Sequence, residues 1–147
     1  MVPVTRSQVT YKPQLGIQSL TYPGPGRVVT TTYDSGGRPS SLSGLAASAT
    51  NYVTATTYQT DGAISSQTLS SGNLTLGRTD NERLQPSSIT ASSGGSVLLG
   101  LNYNYKPNND ATKNNGNLWQ QTISRSGGGS WTQTYGYAEL GGRVLAG

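Results

Sequence analysis

The chain has 147 residues and a formal net charge of +4; apolar residues make up 32 % of it, charged residues 11 %, and Phe, His and Cys are absent. A single domain's length with so few large apolar residues argues against a conventional two-layer sandwich, and the low charge content argues against a charged disordered tail. Without His or Cys there is no Ser/His or Cys/His nucleophile, no thiolate and no imidazole metal ligand, so no enzyme activity, catalytic residue, metal site or cofactor is expected.

Residues 1–26 carry Pro3, Pro13, Pro23 and Pro25 and read as an irregular lead-in, ending in a degenerate turn from Tyr22 to Arg27. From residue 27 to 147 strands alternate with turns. The predicted strands are 27–33, 38–43, 51–58, 63–69, 74–79, 84–91, 97–106, 118–125, 130–137 and 143 onward. Their warrant is period two. Val97, Leu99, Leu101, Tyr103 and Tyr105 share one parity against Gly100, Asn102, Asn104 and Lys106; Trp131, Gln133, Tyr135 and Tyr137 repeat the pattern, and Tyr52, Thr54, Thr56 and Tyr58 do so more weakly. No segment offers a helical stripe, because Gly, Ser and β-branched residues are too dense for a helix to compete.

Two families of turn punctuate these strands. The first is led by tyrosine: Tyr33, Asp34, Gly37 and Arg38 define it, and worn copies run through Tyr58, Asp61 and Gly62, through Arg78 to Arg83, through Tyr105 to Gly116, Asn117 and Leu118, and through Tyr137 to Gly142 and Arg143. The copy after Tyr105 is lengthened by a polar loop. The second family is Ser/Gly-rich, at Ser70–Asn73, Ser92–Ser96 and Ser126–Ser130, with a longer version near Ser43–Thr50. Gly supplies the positive φ that tight hairpins require, and Asp or Asn tolerates it. Strand, turn, strand, turn in repetition predicts an all-β, antiparallel up-and-down meander of tandem hairpins in a curved, open sheet. Tyr at the start of each turn is expected to pack its ring on the neighbouring hairpin and offer its hydroxyl to a polar partner. Arg38, Arg83 and Arg143 are expected to reach acidic groups on adjacent turns.

Tyr33-Asp34-Ser35-Gly36-Gly37-Arg38, followed by Ser40-Ser41-Leu42 and Gly44, resembles the YD repeat of the RHS/YD-repeat family, whose pattern is approximately Y-D-x-x-G-R-L and then a short strand and Gly. The stretch from Tyr135 to Val144 is similar to the Tyr-x-Tyr-Asp-x-x-x-Arg-Leu form with Ala138 in place of Asp, and Gly116-Asn117-Leu118 is similar to a Gly-Asn-Leu variant. Gln59, Ala63 and Arg78 depart from the pattern. The resemblance spans residues 27–147. It implies a non-catalytic structural segment of a β-shell, which in bacterial polymorphic toxins and insecticidal toxin complexes encloses a C-terminal toxin and in teneurins forms a cell-surface barrel. The implied partners are the remainder of a larger shell and its enclosed toxin or effector, and the implied setting of the parent protein is secreted or cell-surface.

Other classes are weaker on the residues. Asp80 and Glu82 lie two apart, the spacing of one strand face, yet at a turn they read as solvated charges rather than a cation site. Basic residues are scattered without aromatic interleaving, so nucleic acid is not an expected partner. The longest apolar run, Val97-Leu98-Leu99, is far short of the ~20 residues of a spanning helix, and the first residues hold no apolar stretch of the signal-peptide kind. The alternative to a shell wall is a cell-surface module for glycans or a receptor, with Trp119 and Trp131 as stacking platforms. An isolated sheet of this kind has two free edges and is expected to associate edge to edge.

Overall fold

The computed structural model describes residues 6–24, 26–45, 49–69, 73–137 and 144–145. Eleven strands form one antiparallel sheet whose order follows the chain: β1 (Gln8–Lys12), β2 (Gly16–Thr21), β3 (Val28–Tyr33), β4 (Pro39–Leu45), β5 (Ala49–Tyr58), β6 (Ile64–Leu69), β7 (Leu74–Asp80), β8 (Pro86–Ser93), β9 (Ser96–Asn104), β10 (Gln120–Arg125) and β11 (Gly129–Thr134). A two-residue pair, β12 (Gly136–Tyr137) and β13 (Val144–Leu145), follows. The sheet is open, since β1 and β11 end the order. The predicted all-β meander is therefore found, with one addition. The lead-in expected to be irregular contains the β1–β2 hairpin, in which Gln8 to Lys12 face Thr21 to Gly16. Pro13 there occupies the first turn position, where no N–H is needed, and Gln14 takes the positive φ of 64° that follows it; Leu15 N–H then donates to Lys12 O at 3.1 Å. Tyr22 N–H closes on Arg27 O at 2.8 Å, so this turn joins β2 to β3 at the ends opposite the tyrosine-led loops.

The chain divides into two compact units, residues 1–75 and 76–147. In the first, Asp34 N–H donates to Arg38 O at 2.8 Å and Gly37 N–H to Asp34 O at 3.1 Å, with Gly37 at φ 78°. This is a three-residue hairpin loop closed by a left-handed residue, which suits Gly because a Cβ is penalised there. Gln59, Gly62 and Ala63 repeat it at 2.8 and 3.0 Å with Gly62 at φ 91°. In the second unit Asn81, Leu84 and Gln85 repeat it again, both bonds at 2.9 Å and Leu84 at φ 59°.

The phase of that third copy differs from the one expected. Gln85, not Arg83, stands where Arg38 stands, and Asp80, not Arg78, takes the place of the tyrosine. Flanking hydroxyls mark the true phase: Thr32 bonds Ser40 and Ser41, Thr57 bonds Ser65, and Thr79 bonds Ser87, at 2.7–2.9 Å. Leu84 pays for this phase with a backbone conformation that disfavours side chains, while its own side chain is 59 % exposed and gains little burial. Leu84→Gly is therefore expected to stabilise the second unit by about 0.5–1 kcal/mol, the difference between left-handed strain and the extra chain entropy of Gly, measured by urea denaturation.

Neighbouring strands supply the packing of each strand, and no hydrophobic residue among those described is fully buried. The second unit shows why alternation is nonetheless so clean. Ile89 faces Leu101, Leu101 faces Ile123 and Ile123 faces Trp131, making one apolar row across four strands; Ser88, Asn102, Thr122 and Thr132 make the adjacent row on the other face. A bulge at Ala91/Ser92 interrupts the pattern toward the loop, and Val97 and Leu99 end up exposed.

Candidate functional site

The first tyrosine-led turn is fastened to the second by the three residue types that define the motif. Asp34 accepts the Arg38 backbone N–H at 2.9 Å through Oδ1 and the Arg38 Nε at 2.9 Å through Oδ2. That pairing holds the guanidinium 4.5 Å over the ring of Tyr58, which belongs to the next tyrosine-led turn. The Tyr58 hydroxyl donates in turn to the carbonyl of Pro39, just beyond Arg38, at 2.6 Å. The β4–β5 ladder has by then ended, its last partners toward this side being Leu42 and Val53. The hydroxyl thus restores a bond across two strands whose backbones have parted. Tyr33 does the same to Ile17 O at 2.8 Å, and in the second unit Tyr137 does so to Leu118 O at 2.9 Å. The hydroxyls of Tyr33, Tyr58 and Tyr137 thus each find a backbone carbonyl, whereas Arg38 pairs with the acid of its own turn rather than with a neighbour's.

Asp34 is held below the usual carboxylate range, chiefly by the Arg38 backbone N–H, with burial opposing and the Arg38 side chain adding to the effect. A carboxyl whose folded pKa is depressed stabilises the fold above its unfolded value and loses that contribution as pH falls through the folded value. Acid titration followed by circular dichroism should accordingly show a loss of the first unit's stability below about pH 4 that Asp34→Asn abolishes.

The other predicted positions divide. Asp61 Oδ1 accepts Ala63 N–H at 3.0 Å within its own loop. Arg83 reaches a carbonyl, not an acid: its Nη1 donates to Asn114 O at 2.6 Å. Gly116, at φ 96°, donates its N–H to Asn114 Oδ1 at 3.1 Å, and Asn117 N–H donates to Asn115 Oδ1 at 3.0 Å. Gly142 and Arg143 lie outside the described residues. Asp80 is 2 % exposed at its side chain and is taken by Arg78 Nε at 2.9 Å, while Glu82 is exposed at the loop. Tyr105 is half-buried, and that burial pushes its phenol up, with Tyr103 and Asp80 adding to the effect. Trp119 is half-buried and joined by its N–H to Asn104 O at 2.9 Å, whereas Trp131 is 46 % exposed beside Ile123 on an edge strand.

Asn114 is the residue that sequence reasoning missed. It is buried in the loop between β9 and β10, where its Nδ2 donates to Gln85 Oε1 at 2.8 Å and its Oδ1 accepts Gln85 Nε2 at 3.3 Å. Gln85 Oε1 also accepts Asn81 Nδ2 at 2.8 Å. The amides therefore join the third tyrosine-type turn, which has Asp80 and Gln85 where Tyr33 and Arg38 stand, to the loop between β9 and β10. Nothing in an Asn-rich loop singles out this one.

Among the described residues no group of three acidic side chains gathers that could hold a metal ion, and no helix is long and apolar enough to cross a membrane. No protein-family model and no curated protein matches the chain. Solved structures do. The crystal structure of TcdB2-TccC3-Cdc42 is similar with a TM-score of 0.78 and 15 % identity, over 95 % of this chain and 7 % of that one. The crystal structure of TcdB2-TccC3 is similar with a TM-score of 0.73 and 17 % identity, over 89 % and 6 %. A Photorhabdus luminescens Tc holotoxin pore is similar with a TM-score of 0.71 and 16 % identity, over 89 % and 6 %. The chain thus spans less than a tenth of the length of these structures. At such identities the likeness shows the fold: an open antiparallel meander shared with a short stretch of Tc-toxin structures, which supports the RHS/YD-repeat relationship that the tyrosine-led turns indicate.

Proposed function

We propose that the chain is a non-catalytic structural segment of an RHS/YD-repeat shell that encloses a C-terminal toxin or effector in a secreted or cell-surface parent protein. The observation that carries this reading is the fastening of one tyrosine-led turn to the next, in which Asp34 holds Arg38, Arg38 covers Tyr58 and Tyr58 bonds Pro39 O. Such a device lengthens a sheet one hairpin at a time and needs no buried core, so it suits a wall whose purpose is its extent. The fold likeness to Tc-toxin structures supports the same reading. The partners are then further repeats of the shell, which cover the edges at β1 and β11, and the enclosed chain. When those repeats are missing, the same edges lead to edge-to-edge association, which sedimentation velocity detects as oligomers growing with concentration. Electron cryomicroscopy of the product of the whole reading frame tests the proposal. A hollow β-walled particle with density inside is the expected result, and a solid domain with these hairpins on its surface overturns it.

A further inference from the structure

We propose that the cleft lined by Tyr22, Arg27, Val29, Leu42 and Tyr52 in the first unit binds a carboxylated pyranose, with Arg27 taking the carboxylate and Tyr22 the ring. The cleft holds about 310 Å³, at the lower end of the range of small-molecule pockets and enough for one sugar ring. Its two outer residues are held at the two ends of one hairpin loop, because Tyr22 N–H donates to Arg27 O at 2.8 Å. The third wall is placed by a bulge. Between Leu42 and Ser43 the β4–β5 register shifts so that Tyr52 falls between the paired positions, and its ring turns over Gly44.

The charge decides the class of ligand. The Arg27 guanidinium lies 5.0 Å over the Tyr52 ring, and among the described residues no carboxylate lies within ion-pair distance of it. Arg38 and Arg78, by contrast, each hold an aspartate. A guanidinium fixed by one face on an aromatic ring keeps its N–H edge for a planar, bidentate acceptor, and a carboxylate is the sugar substituent that matches it. Tyr22, 46 % exposed, lines the cleft with Val29 and Leu42, so that aromatic and apolar surface is available to the C–H side of a sugar ring.

Titration of the isotope-labelled chain with sodium glucuronate, glucose and sodium acetate in separate arms, followed by amide resonances, tests it. Glucuronate is expected to shift the amides of residues 22, 27 and 52, with glucose and acetate each binding more weakly. Arg27→Gln is expected to weaken glucuronate at least ~10-fold, the loss of one charge-assisted contact, while leaving the circular dichroism spectrum unchanged. Tyr22→Ala is expected to weaken glucuronate without altering the acetate arm. The proposal is overturned if glucuronate shifts nothing, if acetate matches it, or if folded Arg27→Gln binds as the parent does.

Discussion

Replacing Asn114 with Ala is expected to cost the second unit about 1–3 kcal/mol, the range for leaving buried amide partners unpaired. Asn114 is the buried polar residue of the described structure, and its side chain serves Gln85 twice and Gly116 once. Truncation leaves Gln85 Nε2 without its Asn114 acceptor and Gly116 N–H without its Oδ1. The loop from 105 to 118 then keeps the bond from Arg83 to Asn114 O as a link to the third turn. Asn114→Asp should be no better than Ala, since it keeps the acceptor oxygen but sets a second oxygen against Gln85 Oε1. Urea denaturation gives the energy, and hydrogen exchange should quicken at Gly116 and at the Asn81–Gln85 turn before it does in β10. An unchanged midpoint for both variants would remove Asn114 from its role as a clasp.

Why this clasp was invisible in the sequence, when so much else was legible, follows from what each signal reports. Gly37 and Gly62 announce their turns because a left-handed position leaves few alternatives, and both take positive φ there, 78° and 91°. The row from Ile89 through Leu101 and Ile123 to Trp131 announced its face because pleating has period two. The third turn misleads because its arginine is not at the anchor position. Arg38 is an anchor only while Asp34 holds it and Tyr58 receives it, and with Asn81 and Gln85 in the places of Asp34 and Arg38, Arg83 bonds Asn114 O instead. The Thr-to-Ser flank, set by cross-strand hydroxyl contact, was the steadier marker: Thr79 and Ser87 were in plain sight. The β1–β2 hairpin was lost for a different reason. Pro13 suggests an irregular segment, although a turn's first central position is where proline costs no hydrogen bond. Contacts such as Asn114 with Gln85 depend on a loop folding back across the sheet, and no local pattern encodes that.

A second large effect should come from Gly44→Val. Gly44 is a buried residue of β4, facing Val29 on one side and Thr50 on the other. A Cβ at this position would come within 2.6 Å of both Cε2 and the hydroxyl oxygen of Tyr52, closer than real side-chain carbons approach. The obstacle is space, since Gly44 is not among the positive-φ glycines. Tyr52 cannot withdraw cheaply, because Arg27 lies over its ring and the Leu42/Ser43 bulge fixes its direction. Overpacking of this kind costs about 1–3 kcal/mol, and Val, with three added carbons, belongs at the upper end. Two controls separate the ring from the backbone. With Tyr52→Ala already present, Gly44→Ala should cost less than it does alone, a coupling visible in a double-mutant cycle. Tyr52→Phe should cost nothing, because the Tyr52 hydroxyl is buried and has no hydrogen-bond partner among the described residues. Equal costs of Gly44→Ala in the two backgrounds would place the strain in the strand itself and not in the ring that crosses it.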